Sequence, residues 1–157
     1  MASKSERHII SASAIIPARR ERVYSLLANY HDGHARILPK QFSNFVVEQG
    51  GVGAGTVIRF QVSLLGSKQK LRAAITEPEP GRVLVETYLD GNDAVTTFTV
   101  SPGRAPADSN VTISTVLPVR AGLRGIIERK FSTLLLRSIY RTELENLARV
   151  ATGPFGA

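Results

Sequence analysis

The sequence predicts an α+β domain in which one antiparallel sheet is covered by a long C-terminal helix. Residues 121–151, AGLRGIIERKFSTLLLRSIYRTELENLARVA, contain no proline and run into Thr152-Gly153-Pro154, a helix stop. At about 1.5 Å per residue they form one helix of roughly 45 Å. Six or seven strand-like segments precede it, separated by short turns rich in Gly, Pro and Asp. Consecutive strands with tight turns form an antiparallel meander. A single-layer sheet must bury one face, and only the terminal helix is long enough to cover it.

The elements follow in order. His8 to Ile16 reads as a strand, ended by Pro17-Ala18. Arg19 to Tyr30 places Val23, Leu26, Leu27 and Tyr30 on one helical face. Asp32-Gly33 breaks that helix, and His34 to Leu38 is a second, short one before Pro39. Phe42 to Gln49 is the next strand, followed by the glycine-rich turn 50–55. Thr56 to Leu65 alternates cleanly, with Thr56, Ile58, Phe60, Val62 and Leu64 on one face, as a half-buried antiparallel strand should. Lys68 to Glu77, Arg82 to Leu89, Ala94 to Val100 and Asn110 to Leu117 complete the sheet. Their connections are Gly66-Ser67, the turn signal Pro78-Glu79-Pro80-Gly81, the hairpin signal Asp90-Gly91-Asn92-Asp93 and the loop 101–109. The domain is expected over residues 8–151, with frayed termini at 1–7 and 152–157.

A chain of 157 residues, 43% hydrophobic, is one domain with a real core. It has no apolar run long enough to span a bilayer and no secretory signature at its N-terminus, so a cytoplasmic protein is expected. The absence of cysteine excludes disulfides, thiol nucleophiles and thiolate metal sites. The net charge is +7, with basic residues gathered in Lys4–Arg22 and Arg120–Arg149. They form no block, and aromatic residues are not interleaved with them as a stacking platform needs, so nucleic acid is not an expected partner.

A string of short segments carries a resemblance. Ile16-Pro17-Ala18 precedes Arg22-Val23-Tyr24, and Ala28-Asn29-Tyr30-His31 leads to Ile37-Leu38-Pro39. Then come Glu77-Pro78-Glu79-Pro80-Gly81-Arg82-Val83-Leu84, Val111-Thr112-Ile113 and Glu143-Leu144-Glu145-Asn146-Leu147-Ala148. In this order they resemble the START-like helix-grip superfamily (SRPBCC, also Bet v 1-like), and within it the polyketide cyclase/dehydrase-type branch. The resemblance covers about residues 8 to 151. It implies a helix-grip fold, a curved sheet wrapped around the long helix with a hydrophobic cavity between them. It also implies ligands such as lipids, sterols, hormones or polyketides, and in some members cyclisation or dehydration inside the cavity.

Candidate chemistry is sparse. His31 and His34 have a metal-ligand spacing, but His8 is the only other histidine and cysteine is absent, so no metal is expected. His34 is instead a candidate general base, against a structural or rim role, since imidazole titrates near working pH. Gly51-Val52-Gly53-Ala54-Gly55 looks like a dinucleotide loop, yet a strand rather than a helix follows it. It is read as a hairpin connection, with a mobile lid over the cavity as its further use, and no cofactor is expected. With Phe60, Leu71, Phe98, Val111 and Ile113 inward, alternation sends Arg59, Arg72 and Thr97 out and Thr115 in. The strand 82–89 has apolar residues on both faces. If Leu84 points in, so do Glu86 and Tyr88, a carboxyl beside a phenol able to do acid–base work. The favoured expectation is the opposite, with Glu86 in solvent beside Arg59 or Arg72. Glu143 and Glu145 lie on different sides of the helix and form no pair.

The expected cavity lining is Tyr30, Leu38, Ile58, Phe60, Leu71, Phe98, Ile113 and Thr115, joined by Leu123, Ile127, Phe131 and Leu134 from the helix. Those last four form one stripe, and Tyr140, Leu144, Leu147 and Ala151 form another, offset by roughly a third of a turn. The rear half is expected to anchor and the front half, with Gly122 and Gly125, to roof the cavity and move to admit ligand. The leading expectation is binding or transport of an apolar or amphipathic small molecule, lipid-like or aromatic. The alternative is a cyclase/dehydratase using His34, Tyr88 or Glu86 as acid–base groups around an apolar, polyketide-like substrate. A third is an interaction domain whose basic helix face, with Arg137 and Arg141, meets a membrane surface or a partner. Nothing in the sequence sets an oligomeric state.

Overall fold

The structure is a computed structural model that describes residues 7–64, 66–91, 93–118 and 122–154, with the backbone alone for 122–131. Its order is β1 (Arg7–Ile16), α1 (Arg20–Ala28), α2 (Gly33–Ile37), β2 (Phe42–Gln49), β3 (Val57–Leu64), β4 (Ser67–Glu79), β5 (Val83–Tyr88), β6 (Val95–Pro102), β7 (Ser109–Pro118) and α3 (Gly122–Thr152). The strands form one seven-stranded sheet in the order β1-β7-β6-β5-β4-β3-β2, with antiparallel pairing throughout. The fold is the α+β helix grip: a curved antiparallel sheet holding a C-terminal helix. Sequence-adjacent strands pair along the meander, and only β1 crosses the molecule, closing against β7.

Two irregularities bend the sheet. β2 shifts register between Ser43 and Val46 and again between Val47 and Gln49, with Asn44 at φ 51°. β4 shifts between Thr76 and Glu79. Such bulges increase local twist and curvature. The second one corrects the sequence expectation at Pro78-Glu79-Pro80-Gly81: the strand runs through Pro78, because a bulge accommodates a residue without an N–H. The turn itself is only Pro80-Gly81, where Arg82 N–H donates to the Glu79 carbonyl at 3.0 Å and Gly81 sits at φ 85°.

Period-two alternation holds along β3, where Ile58, Phe60 and Val62 are buried, and along β7, where Val111, Ile113 and Thr115 are buried. Arg59 and Arg72 face outward and share Glu48, at 3.3 and 2.9 Å. These exposed pairs contribute little to stability. The rear of α3 brings Ile139, Tyr140, Leu144, Leu147 and Ala151 into the main core, together with Val23 and Leu27 of α1, Ile37 of α2 and Ile10 of β1. Each fully buried leucine or isoleucine there contributes roughly 1.5–3 kcal/mol. Polar ties fix the same helix. Asn146 Nδ2 donates to the Ile37 carbonyl at 3.0 Å, and Arg22 Nε donates to the Ala151 carbonyl at 2.6 Å. The second tie also places a cation at the negative end of the helix dipole.

α1 and α2 approach closely at Gly33. A Cβ there would stand 2.8 Å from Leu26 Cα and closer still to the Leu26 carbonyl oxygen. Gly33→Ala is therefore expected to lower stability by about 1–3 kcal/mol in urea unfolding. Gly153→Ala, whose Cβ would meet only ordinary contacts, should stay within about 0.5 kcal/mol of the parent.

Candidate functional site

A cavity of about 380 Å³ lies between the sheet and α3. Its walls are mostly apolar: Ile58, Phe60 and Val62 of β3, Leu71 of β4, Phe98 of β6, and Leu135, Leu136 and Ile139 of α3 are among them. One region is polar, and strand register builds it. Ile75, Glu86, Thr96, Thr115 and Ile10 are cross-strand partners in one continuous row across five strands. The next row is Leu84, Phe98 and Ile113, entirely apolar. The polar residues of the first row thus form a narrow band between hydrophobic neighbours.

The expectation that Glu86 faces solvent is overturned. Glu86 is 5% exposed and lines the cavity, because Leu84, two residues earlier, is fully buried and the pleat sends both to the same face. Arg59 and Arg72, its expected partners, lie on the outer face with Glu48. Inside, Tyr30 O–H donates to Glu86 Oε1 at 2.9 Å. His34 Nε2 stands 3.5 Å from the same oxygen and 4.0 Å from Glu143 Oε1. His34 is fixed on its other side, where Nδ1–H donates to the Leu27 carbonyl at 2.8 Å. Its ring stacks on Tyr30, centroids 4.4 Å apart, and meets Phe98 edge-on at 5.3 Å. That bond assigns the neutral tautomer and leaves Nε2 as an acceptor aimed at the two carboxyls.

Burial governs the electrostatics. It pushes the Glu86 carboxyl up to about 7 against a smaller opposing effect of the Tyr30 bond, and lowers the His34 imidazole to about 4 against that of the Leu27 bond. Glu143 is held well above the usual carboxylate range by burial and then by Glu86. Tyr30 and Tyr88 are also held well above the usual phenol range by burial and neighbouring Glu86, and burial pushes Tyr140 up to about 12. At neutral pH the region holds protonated or half-protonated acids beside a neutral imidazole. Beside them, Thr96, Thr115 and Tyr140 form a hydroxyl chain, with Thr96 and Thr115 at 2.7 Å.

Of the residues singled out in the sequence, His34, Glu86, Tyr88, Leu38, Ile58, Phe60, Leu71, Phe98 and Thr115 line this cavity. Tyr30 is buried behind it as the donor to Glu86, and Ile113 is in the core, neither forming the wall. Leu134 is a correction: at 73% exposure it faces solvent, while Leu135 and Leu136 turn inward. The side chains of Leu123, Ile127 and Phe131 lie outside the described residues, and with them the expected roof formed by the front of α3. Glu143 was missed in the sequence. Set against Glu145 it formed no pair, but it sits at the spacing of Ile139, Tyr140 and Leu147 on the buried stripe.

The histidine pair separates. His34 is in the cavity, and His31 is exposed, its Nε2 3.2 Å from the Gly50 carbonyl. Among the described residues no three His, Asp or Glu form a metal-holding group. The glycine-rich turn 50–55 is no lid. It contributes nothing to the cavity wall and is tied to the end of α1: Tyr30 N–H donates to the Gly51 carbonyl at 2.8 Å, and Gly53 N–H to the Ala28 carbonyl at 2.9 Å. Arg137 and Arg141 are exposed on α3. No helix among the described residues is long and apolar enough to cross a membrane.

Residues 7–152 match the family model described as polyketide cyclase / dehydrase and lipid transport. No curated protein is significantly similar to the chain. Solved structures are. The solution structure of KanY protein is 26% identical, covers 94% of this chain and 99% of its own, and superposes with a TM-score of 0.81. The Zhui aromatase/cyclase from a Streptomyces species is 14% identical over 93% of this chain and 94% of its own, with a TM-score of 0.75. A START superfamily protein from Mycobacterium smegmatis is 13% identical over 91% and 99%, with a TM-score of 0.72. Below 25% identity such likeness shows the fold alone.

The pKa directions predict how stability depends on pH. Glu86, raised in the folded state, binds more protons folded than unfolded between about pH 4.5 and 7, so its contribution is full at low pH and is lost as pH rises through 7. His34, lowered, contributes above its unfolded value of 6.5 and loses that contribution as pH falls through about 4. Glu86→Gln removes the first effect and also relieves part of the upward push on Glu143, which acts in the same direction. Relative to the parent it should gain on the order of 1–3 kcal/mol between about pH 5 and pH 8 in paired urea melts; a constant difference across that range would contradict the buried, proton-holding carboxyl.

Proposed function

The chain belongs to the polyketide cyclase / dehydrase and lipid transport family, and from that premise we propose that it binds and carries a compact amphipathic molecule, ring-containing or lipid-like, in the cavity under α3. The observation that carries this reading is the cavity itself: about 380 Å³, walled by aromatic and aliphatic side chains, with a few convergent polar groups at one place. That is the usual make-up of a small-molecule site. Its volume lies near the lower end of the ~300–1,000 Å³ typical of such sites, which favours a ligand of two or three fused rings or a short chain.

A second reading, cyclase or dehydratase chemistry on a polyketide-like substrate, is favoured by one specific arrangement. Glu86, with its pKa near neutral, stands 3.5 Å from the acceptor nitrogen of His34, with Tyr88 on the same wall. A base and an acid so placed fit elimination of water from a β-hydroxy carbonyl compound. The base takes the proton from the carbon next to the carbonyl, a carbon–carbon double bond forms, and the carbon–oxygen bond breaks as the acid protonates the leaving hydroxyl. A proton passed from the base back to the acid would restore the starting state.

Titration calorimetry against a panel of lipids, sterols and polyaromatic compounds tests the first reading. Binding should be saturable, and Leu71→Trp, which fills the cavity from β4, should weaken it by about tenfold or more with little change in melting temperature. Affinity unaffected by Leu71→Trp would place the ligand elsewhere. Mass spectrometry of the recovered ligand separates the readings. A carrier returns it intact, whereas an enzyme returns a product lighter by one water, and Glu86→Gln should then slow turnover by roughly 100-fold or more.

A further inference from the structure

Glu143 is a buried carboxyl that the readings above leave without a role. It is 3% exposed, it lines the cavity, and it has no hydrogen-bond partner among the described residues. His34 Nε2 stands 4.0 Å from its Oε1, beyond hydrogen-bond reach. A buried carboxyl without a partner is costly, and native proteins retain one where something else completes it. Glu86 stands 3.5 Å from the same nitrogen, from the opposite wall. The two carboxyls therefore converge on one small volume, contributed by β5 and α3 and joined by the acceptor nitrogen of α2.

The site has a consistent sign. No lysine or arginine is among the described residues that line the cavity. A ligand ending in a carboxylate, phosphate or sulfate would enter an apolar space with no counter-charge among the described residues and meet two acids. An ammonium group meets the reverse. It has three N–H donors and no acceptor. The convergent volume has three acceptors: a Glu143 oxygen, a Glu86 oxygen and His34 Nε2, the last free because Nδ1 donates to Leu27. The apolar body of the ligand would lie against Phe60, Leu71, Phe98 and Leu135.

We propose that the cavity selects amphipathic amines, holding the ligand's ammonium group between Glu143 and Glu86 with His34 Nε2 as the third acceptor. This rests on the cavity-binding reading above and names the ligand class for it. Among the described residues the titratable groups that face this volume are Tyr30, His34, Glu86, Tyr88, Tyr140 and Glu143, and none of them is cationic at neutral pH given the burial of His34. In the empty protein burial keeps Glu143 protonated and Glu86 partly so near pH 7. An incoming ammonium ionises a carboxyl that still holds its proton, so binding releases about one proton and affinity rises with pH.

Three naphthalene compounds of nearly one shape make the test: 2-naphthylmethylamine, 2-naphthalenemethanol and 2-naphthoic acid, titrated calorimetrically into the intact protein. At about pH 7.5 the amine should bind at least about tenfold more tightly than the alcohol, with the acid weakest. Between about pH 5.5 and 7 amine affinity should rise by up to about tenfold per pH unit, with proton release seen as a heat that depends on the buffer. Glu143→Gln should abolish the amine's advantage, and a melting temperature close to the parent's reports that the variant is folded. The pH dependence of the parent protein tests the same point with no variant at all. Equal affinity for amine and alcohol, preference for the acid, or an amine affinity flat in pH would overturn the amine assignment and leave cavity binding standing. Binding by none of the three would overturn both.

Discussion

The site depends on one constraint, the burial of Leu84 in a six-residue strand. β5 is flanked by β4 and β6, so its register cannot slip without breaking two ladders. Leu84 pairs with Phe98, which pairs with Ile113, and this apolar row closes the inner face. Once Leu84 is inside, the pleat allows Glu86 no other direction. A carboxyl that could have been solvated is placed in the row Ile75–Glu86–Thr96–Thr115–Ile10, with a phenol donor from Tyr30 as its compensation. The hydrophobic gain of the neighbouring row holds Glu86 in a place that its own solvation opposes.

His34 completes the arrangement through backbone geometry rather than side-chain chemistry. α2 can lie close to the end of α1 because Gly33 has no Cβ. That approach brings His34 Nδ1 to the Leu27 carbonyl, which lacks an onward helical partner near the end of α1. One bond therefore satisfies an orphan carbonyl, selects the imidazole tautomer and orients Nε2. Stacking on Tyr30 and the edge contact with Phe98 remove the remaining rotation. The imidazole is thus pre-positioned before any ligand arrives, which spares the ordering cost a mobile side chain would add to binding.

The fold was legible because its signals were redundant. Alternation along Thr56–Val62, the turn chemistry between strands and an uninterrupted terminal helix all point to the same layer arrangement. The same alternation correctly sent Thr115 inward and Arg59 outward. It was silent at β5, where Val83 and Val85 on one face balance Leu84 on the other, so hydrophobicity alone could not choose between them. Register against β6 makes that choice, and register is not visible in one strand's sequence. The run Leu134-Leu135-Leu136 failed for a related reason. Three leucines spread over about 200° of helix surface cannot all face one side, and the phase comes from Ile139 and Tyr140 further on. Glu143 is legible as a carboxyl embedded in the apolar stripe of Ile139, Tyr140 and Leu147, a setting that its offset from Glu145 does not reveal.

The placement of Glu143 ties the anchoring of α3 to the chemistry of the cavity. Leu144 and Leu147 are fixed in the core, and one position before Leu144 the helix turns by about 100°. That rotation carries Glu143 from the core edge to the cavity wall, where Ile139 and Tyr140 already stand one turn earlier. Rotating α3 enough to free the carboxyl would withdraw Tyr140 from Thr115 and Leu147 from its buried seat at once. The helix therefore cannot relieve Glu143 by adjusting itself. Two ways remain to lower the cost of that carboxyl. It can hold its proton, as burial dictates in the empty protein, or it can meet a positive charge from outside. A fixed helix, a fixed imidazole and a fixed strand thus leave the contents of the cavity as the variable, and make the protonation state of Glu143 and Glu86 a report of what has entered.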